Sequence, residues 1–300
     1  MRRRASLPPT EQANPRTTRI DRLFTREILA RLNAEDARVP AAVRRTLPQI
    51  ARAVDAIVAA WRKRNRLFYV GAGTSGRLGV LDAAECPPTF QISPRRLQAI
   101  LAGGQRAMFR SVEGAEDSAA AGARDLAGKG VRKGDVVVVL TASGTTPYAL
   151  GALRWARRQR ILTVGVTCNR RSPAAREADI AICPETGPEA IAGSTRLKAG
   201  TAQKLVLNML STAAMIRLGH VHRNLMVNVQ MSNQKLKQRG RRVLVEALGV
   251  SDAEATRLVE RSGGNLKVAI LMGHLGVTPR EAERRLAAAD GHVNRAMRGQ

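Results

Sequence analysis

The chain has few aromatic residues, few cysteines, few acids and no long apolar run, and each shortage closes off a class of protein. Trp, Tyr and Phe together make up 3 % of the 300 residues, so the core must be built from Ala, Val, Leu and Ile. That favours alternating helices and buried strands over an aromatic-rich sandwich. The three cysteines, Cys86, Cys168 and Cys183, are an odd number without paired spacing, and no tight His/Cys cluster accompanies them. Neither a disulfide scaffold nor a zinc site is expected from that pattern. No stretch approaches the roughly 18 consecutive apolar residues of a membrane span. The basic start MRRRASLPPT lacks the apolar run of a secretory signal. The expected location is therefore the reducing cytoplasm, with no membrane partner.

Acids are scarce beside bases: 24 Asp and Glu stand against 50 Lys and Arg, for a net charge of +26. Such a balance suits an anionic partner, be it nucleic acid, a membrane surface or a phosphorylated substrate. The cations are spread along most of the chain and are not interleaved with aromatics. A solvated arginine-rich surface is expected from this, and no nucleic-acid partner.

What the sequence does have is two rhythms. Residues 1–18 show neither and read as a flexible basic arm. Val43–Arg64 places Val43, Leu47, Ile50, Val54, Ile57, Val58 and Trp61 at steps of three and four, one face of a long helix. Short apolar runs follow at Leu67–Val70, Ala99–Ala102, Val136–Leu140, Leu162–Val166 and Ile180–Cys183, with helical patterns at Gly76–Ala84, Asp117–Ala127 and Pro147–Arg157. Continuous apolar strands alternating with helices predict an α/β fold: a doubly wound, five-stranded parallel sheet flanked by helices. Its ligand site is expected beyond the carboxyl ends of the strands. Thr195–Gly219 reads as a further long helix. The tail reads as a small helical bundle, with capping-box patterns at Ser251–Glu254 and Thr278–Glu281 and a third short helix over Asn265–Leu275. The predicted division is an arm over 1–18, a main domain over 19–240 and a C-terminal bundle over 241–300.

Two segments that follow strands carry what a phosphate needs. Gly71-Ala-Gly-Thr-Ser-Gly76 follows the first strand, and Thr141-Ala-Ser-Gly-Thr-Thr146 follows the third. Glycines let the backbone approach an anion, hydroxyls donate to it, and the next helix contributes unpaired N–H groups and its dipole. Gly73, Thr74, Ser75, Ser143, Thr145 and Thr146 are the candidate contacts. Two ordinary turns whose hydroxyls cap helices are the alternative. The first segment also fits GxGxxG, but no acidic residue ends the next strand where a dinucleotide ribose would be held.

Longer strings carry a resemblance. The pair of loops resembles the sugar isomerase (SIS) domain. The run from Gly71 to Phe90, Ser111–Ser118, Gly187–Met215, Asn224–Val227, Asn233–Arg239 and Thr10–Pro15 resemble the N-acetylmuramic acid 6-phosphate etherases over about residues 10–295. The resemblance implies a SIS fold over 19–240 and a ubiquitin-associated-like bundle over 241–300. It implies a carbon–oxygen lyase that uses no metal and no other cofactor, and homodimers whose sites are completed across the interface. The implied partner is a phosphorylated amino sugar, N-acetylmuramic acid 6-phosphate, cleaved to N-acetylglucosamine 6-phosphate and D-lactate.

The same resemblance places Glu85 as proton donor to the departing lactate and Glu116 as the C2 base, with Glu113 ranked second. On its own, Glu85 fits a solvated helix-end glutamate equally well, and Cys86-Pro87-Pro88 is expected to stop its helix. The acids among Glu113, Glu116 and Asp117 that do no chemistry are expected to cap the next helix. Ser194, Arg196 and Lys198 are further candidate substrate contacts, the two cations reading equally as surface groups. His220 and His222, two apart, cannot share a helix face and read as polar surface or interface groups. His222-Arg223 departs from the family's usual Tyr-Gly, and Val227–Ser232 varies its Val-Asp-Val. A sugar-phosphate isomerase and a non-enzymatic regulator related to glucokinase regulatory protein are the competing readings. A nucleic-acid-binding regulator, suggested by charge alone, lacks a recognisable helix-turn-helix.

Overall fold

The structure is a computed structural model that describes residues 7–228 and 234–299, the side chain of Lys235 excepted. The varied segment at 229–232, Asn233 and the first six residues of the expected arm lie outside the described residues. Helices α1 (Thr25–Asp36), α2 (Val39–Arg44) and α3 (Leu47–Arg62) lead into β1 (Leu67–Gly71), α4 (Gly73–Phe90) and β2 (Leu97–Leu101). Next come α5 (Ala119–Gly128), β3 (Val136–Leu140), α6 (Pro147–Arg158), β4 (Leu162–Val166), α7 (Pro173–Glu177), β5 (Ile180–Ile182) and α8 (Lys198–Arg217). A hairpin of β6 (Val221–His222) and β7 (Leu225–Met226) is followed by α9 (Gln234–Leu248), α10 (Asp252–Arg261), α11 (Leu266–Leu275), α12 (Pro279–Ala288) and α13 (Val293–Arg298). No helix among the described residues is long and apolar enough to cross a membrane.

Two compact units are present, Met1–Ala83 with Arg95–Ser211, and Ala84–Pro94 with Thr212–Gln300. In the first, the five strands form one parallel sheet in the order β2-β1-β3-β4-β5. The strands β1 and β3 are buried along their whole length, as continuous apolar runs in a sheet covered on both faces must be. The winding reverses between β1 and β3, and the crevice at such a reversal is where this topology binds ligands. Close helix packing brings α5 and α6 together: a Cβ on Gly122 would lie 2.0 Å from the Tyr148 carbonyl, and one on Gly151 would lie 1.9 Å from that of Ala119.

The stretch expected as a loose arm carries a 3₁₀ turn, Pro9–Glu11, and a second, Ile20–Arg22, follows it. Thr10, Asn14 and Thr17 are buried. The Gly193 amide donates to the Thr10 carbonyl at 3.0 Å, and Thr17 Oγ1 to that of Ala190 at 2.8 Å. The single helix expected over Val43–Arg64 is two, because Pro48 has no N–H to give the Arg44 carbonyl. Pro87 and Pro88, in contrast, do not stop α4, which runs through them to Phe90. They remove the amides owed to the Ala83 and Ala84 carbonyls, and the helix resumes with Gln91 N–H to the Pro87 carbonyl at 2.9 Å.

The second unit has its own core, in which Leu244, Ala255, Leu266, Ile270, Ala282 and Val293 are buried. Its helix starts follow the sequence: Ser251 Oγ accepts from the Glu254 amide, Asn265 from Lys267 and Val268, and Thr278 from Glu281. His222, read as a polar surface or interface group, is 2 % exposed. Burial holds its pKa below the ordinary value. In the hairpin, Arg223 has φ +55°. This is a left-handed conformation that glycine adopts without steric cost. Arg223→Gly is expected to raise stability by about 1 kcal/mol, read as a higher midpoint in urea at unchanged slope.

Candidate active site

The first loop is shorter than its sequence suggests. Only Ala72 separates β1 from α4, so Gly73, Thr74 and Ser75 form the first turn of that helix, whose amides lack intrahelical partners. Gly76 lets α4 start this close to the strand: a Cβ there would lie 2.5 Å from both the Gly71 carbonyl and Leu101 Cδ1.

The second loop is tied internally. Thr141 Oγ1 and Thr146 Oγ1 are 3.0 Å apart, Ser143 Oγ and Thr145 Oγ1 2.9 Å, and the Thr145 amide donates to Ser143 Oγ at 3.2 Å. Thr146 is the N-cap residue of α6, yet its side chain makes no capping bond. The helix-cap alternative therefore does not describe this loop. Gly144 sits at φ +75°, where a Cβ would lie 2.1 Å from Ser172 Oγ, so only glycine fits.

Between the two loops runs Ser111–Asp117. The Tyr148 amide, in the first turn of α6, donates to the Glu116 carbonyl at 2.9 Å. Tyr148 is fully buried, and its hydroxyl donates to Asp125 Oδ2 on α5 at 2.7 Å. Burial and then Asp125 push that phenol's pKa up. Glu116 is thus fixed by its backbone while its side chain stays exposed. Helix α5 is capped by Ser118, whose Oγ accepts from the Ala121 amide at 3.1 Å, so the three acids are not needed for capping. Glu113, Glu116 and Asp117 line one cavity of about 440 Å³ with Gly73, Thr74 and Arg77. Sequence reasoning missed Arg77, whose Nε donates to the Ala107 carbonyl at 2.9 Å. Its place directly after Gly76 was the available signal.

The start of α8 lies beside that of α4. A Cβ on Gly200 would lie 3.5 Å from Thr74 Cγ2 and 3.4 Å from the Thr195 carbonyl, which brings the Ser194–Arg196 segment toward the first loop. Deeper in, Lys204 Nζ and Ser211 Oγ both reach Asp82 Oδ1 of α4 at 3.3 Å. Burial pushes the Asp82 pKa up, against Lys204. Arg196 is exposed. Lys198 is not available to a ligand: its ammonium is fully buried, bonded to Glu35 Oε2 and the Pro188 carbonyl. Glu189, also buried, caps α8 by accepting from the Lys198 and Ala199 amides at 3.0 and 2.9 Å.

Glu85 belongs to the second unit, where it is exposed on α4. Its neighbour Cys86 is buried, which does not suit a nucleophile. Burial likewise pushes Cys168 up to about 12 and Cys183 up to about 11.

This arrangement of loops has known relatives. The family model for the SIS domain matches residues 117–213, and that for the glucokinase regulatory protein N-terminal SIS domain matches 49–157. An N-acetylmuramic acid 6-phosphate etherase of Salmonella dublin is 51 % identical over 288 residues, covering 96 % of this chain and 97 % of that one. The one from Geobacillus thermodenitrificans is 51 % identical over 96 % of this chain and 98 % of its own. In Vibrio cholerae, N-acetylmuramic acid 6-phosphate etherase 2 is 51 % identical over 96 % and 94 %. With half of its residues shared over nearly its whole length, the chain belongs to the N-acetylmuramic acid 6-phosphate etherase family.

Proposed function

We propose that this protein cleaves the D-lactyl ether of N-acetylmuramic acid 6-phosphate, giving N-acetylglucosamine 6-phosphate and D-lactate in the recycling of peptidoglycan amino sugars. The observation that carries the reading is the cavity where the open amino end of α4 and Glu116 face the same space. A phosphate accepts from the amides and hydroxyls of Gly73, Thr74 and Ser75. The hydroxyls of Ser143, Thr145 and Thr146 exchange their mutual bonds for the sugar phosphate, and Ser194 and Arg196 approach from the segment that precedes α8.

An ether at C3 leaves readily only when the neighbouring C2–H is acidified. In the open-chain aldehyde that proton lies α to the carbonyl. Glu116 takes it, Glu85 gives a proton to the departing lactate oxygen, and the C3–O bond breaks to leave a C2–C3 double bond. Water then adds at C3. The two glutamates have opposite roles, one as base and one as acid. In the homodimer implied by the resemblance, the partner copy completes each site, and the protein works in the cytoplasm.

The regulator reading draws on the glucokinase regulatory protein match, which covers about a third of the chain, against 96 % for the etherases. Incubating the protein with N-acetylmuramic acid 6-phosphate and assaying D-lactate tests the proposal. Binding without lactate release would leave the regulator, and turnover of a ketose phosphate instead would favour the isomerase.

A further inference from the structure

Part of the basic charge that looks evenly spread in the sequence is gathered by the fold. Because the strands are parallel and in register, Leu97, Leu67, Val136 and Leu162 form one row across β2, β1, β3 and β4. The segments that enter these strands therefore share one edge of the sheet, at the opposite end from the cavity. Arg62, Lys63 and Arg64 precede β1 and are exposed. Lys129, Arg132 and Lys133 precede β3, and Arg157, Arg158 and Arg160 precede β4, all exposed. Before β2, Arg96 lies over the Trp61 ring at 5.9 Å, and its pKa is lowered by burial and then by Arg64, a sign of crowded like charge.

Few acids offset them. Asp135 is buried and taken up by Arg66 at 2.7 Å and the Arg132 amide at 3.0 Å. Glu177 and Asp179 stand at the β5 end, facing Arg154 and Arg157. Two of the cations are also strained: Arg64 and Arg160 have φ +60° and +55°, where glycine is cheapest. Charge is kept at these two points at the expense of stability.

We propose that this strand-entry face binds duplex nucleic acid through its phosphates, without reading sequence. Strands about 4.8 Å apart make the row about 14 Å wide, a scale over which a duplex presents one phosphate charge per about 1.7 Å. Guanidinium groups bind phosphate in bidentate fashion. None of the large exposed apolar side chains among the described residues lies in these entries. The face thus has neither a platform for stacking single-stranded bases nor a wedge for a lipid surface. The sequence expectation of no nucleic-acid partner rested on dispersed charge and on the lack of interleaved aromatics, and the parallel topology removes the first of these.

The test is fluorescence anisotropy with a labelled mixed-sequence DNA duplex of about two turns, across salt from about 50 to 200 mM. The face variant is Arg64→Gly/Arg132→Gln/Lys133→Gln/Arg158→Gln/Arg160→Gly. A control changes Arg242, Arg261, Arg280, Arg295 and Arg298 to Gln, removing the same charge elsewhere. The face variant should bind at least about tenfold more weakly, with the salt slope shallower by about 0.9 for each phosphate that the variant no longer neutralises. The control should bind like wild type, and both should release lactate normally. Arg64→Gly/Arg160→Gly alone relieves strain, so it should unfold no earlier than wild type yet bind more weakly. The proposal is overturned if wild type ignores the duplex at the upper salt, if both five-site variants lose affinity equally, or if the glycine pair binds unchanged. Selective binding of phosphatidylserine vesicles with the duplex ignored overturns it in favour of a membrane surface.

Discussion

Glu116→Gln should slow lactate release by about 10²–10⁴-fold, the usual worth of a positioned acid or base, and should stop deuterium entering C2 from heavy water. The substitution keeps the shape of the side chain and its carbonyl's bond to the Tyr148 amide, so the cavity persists and only the base is lost. Glu85→Gln should lose release to a similar degree while exchange continues. In that variant C2 still gives up its proton, but the lactate oxygen finds no donor, so the carbanion takes a deuteron back. The two readouts separate the roles because exchange needs only the base and release needs both groups. Exchange surviving in Glu116→Gln and vanishing in Glu85→Gln would reverse the assignment. Exchange lost with neither would move the base to another acid on the cavity, with Glu113 next in line.

The parallel sheet was legible because its strands are unbroken apolar runs, Val136–Leu140 above all, and loops after β1 and β3 advertise a phosphate through composition alone. Boundaries were less legible where proline was involved. Pro48 breaks a helical stripe that periodicity carries straight through, whereas Pro87 and Pro88 look like a stop and are carried within α4. Local sequence cannot say which carbonyls tolerate losing a partner. The long-range polar links were invisible for a related reason. Glu189 caps a helix whose first residue is nine positions away, and Glu35 meets Lys198 across 163 positions. No pattern marks either glutamate, and Lys198 accordingly read as a substrate contact or a surface group when it is a buried structural cation.

That buried cation sets the second large effect. Glu35→Ala should destabilise the fold by about 3–5 kcal/mol, the cost of leaving a buried charge without its partner. Lys198 is fully buried and would keep only the Pro188 carbonyl. Lys198→Met should cost less, because Glu35 retains Asn14 at 2.8 Å and the Arg16 guanidinium. The double variant Glu35→Leu/Lys198→Met should recover much of the loss, since an apolar pair of similar volume needs no compensation. Acid should expose the same interaction. Arg16 first, then Lys198 and Asn14, hold the Glu35 carboxyl at about 2, below its ordinary 4.5. A carboxylate depressed in the folded state contributes its full stability above the ordinary value and loses it as pH falls toward the folded one. Urea midpoints of wild type should therefore drop between about pH 4.5 and 2, and the gap to Glu35→Ala should narrow across that window. A gap that stays constant there would mean that Glu35 acts by packing and not by charge. The effect should extend to catalysis, because the same cluster ties Asn14 and Lys198 to Pro188, on the segment that leads into Ser194 and the start of α8 beside Thr74.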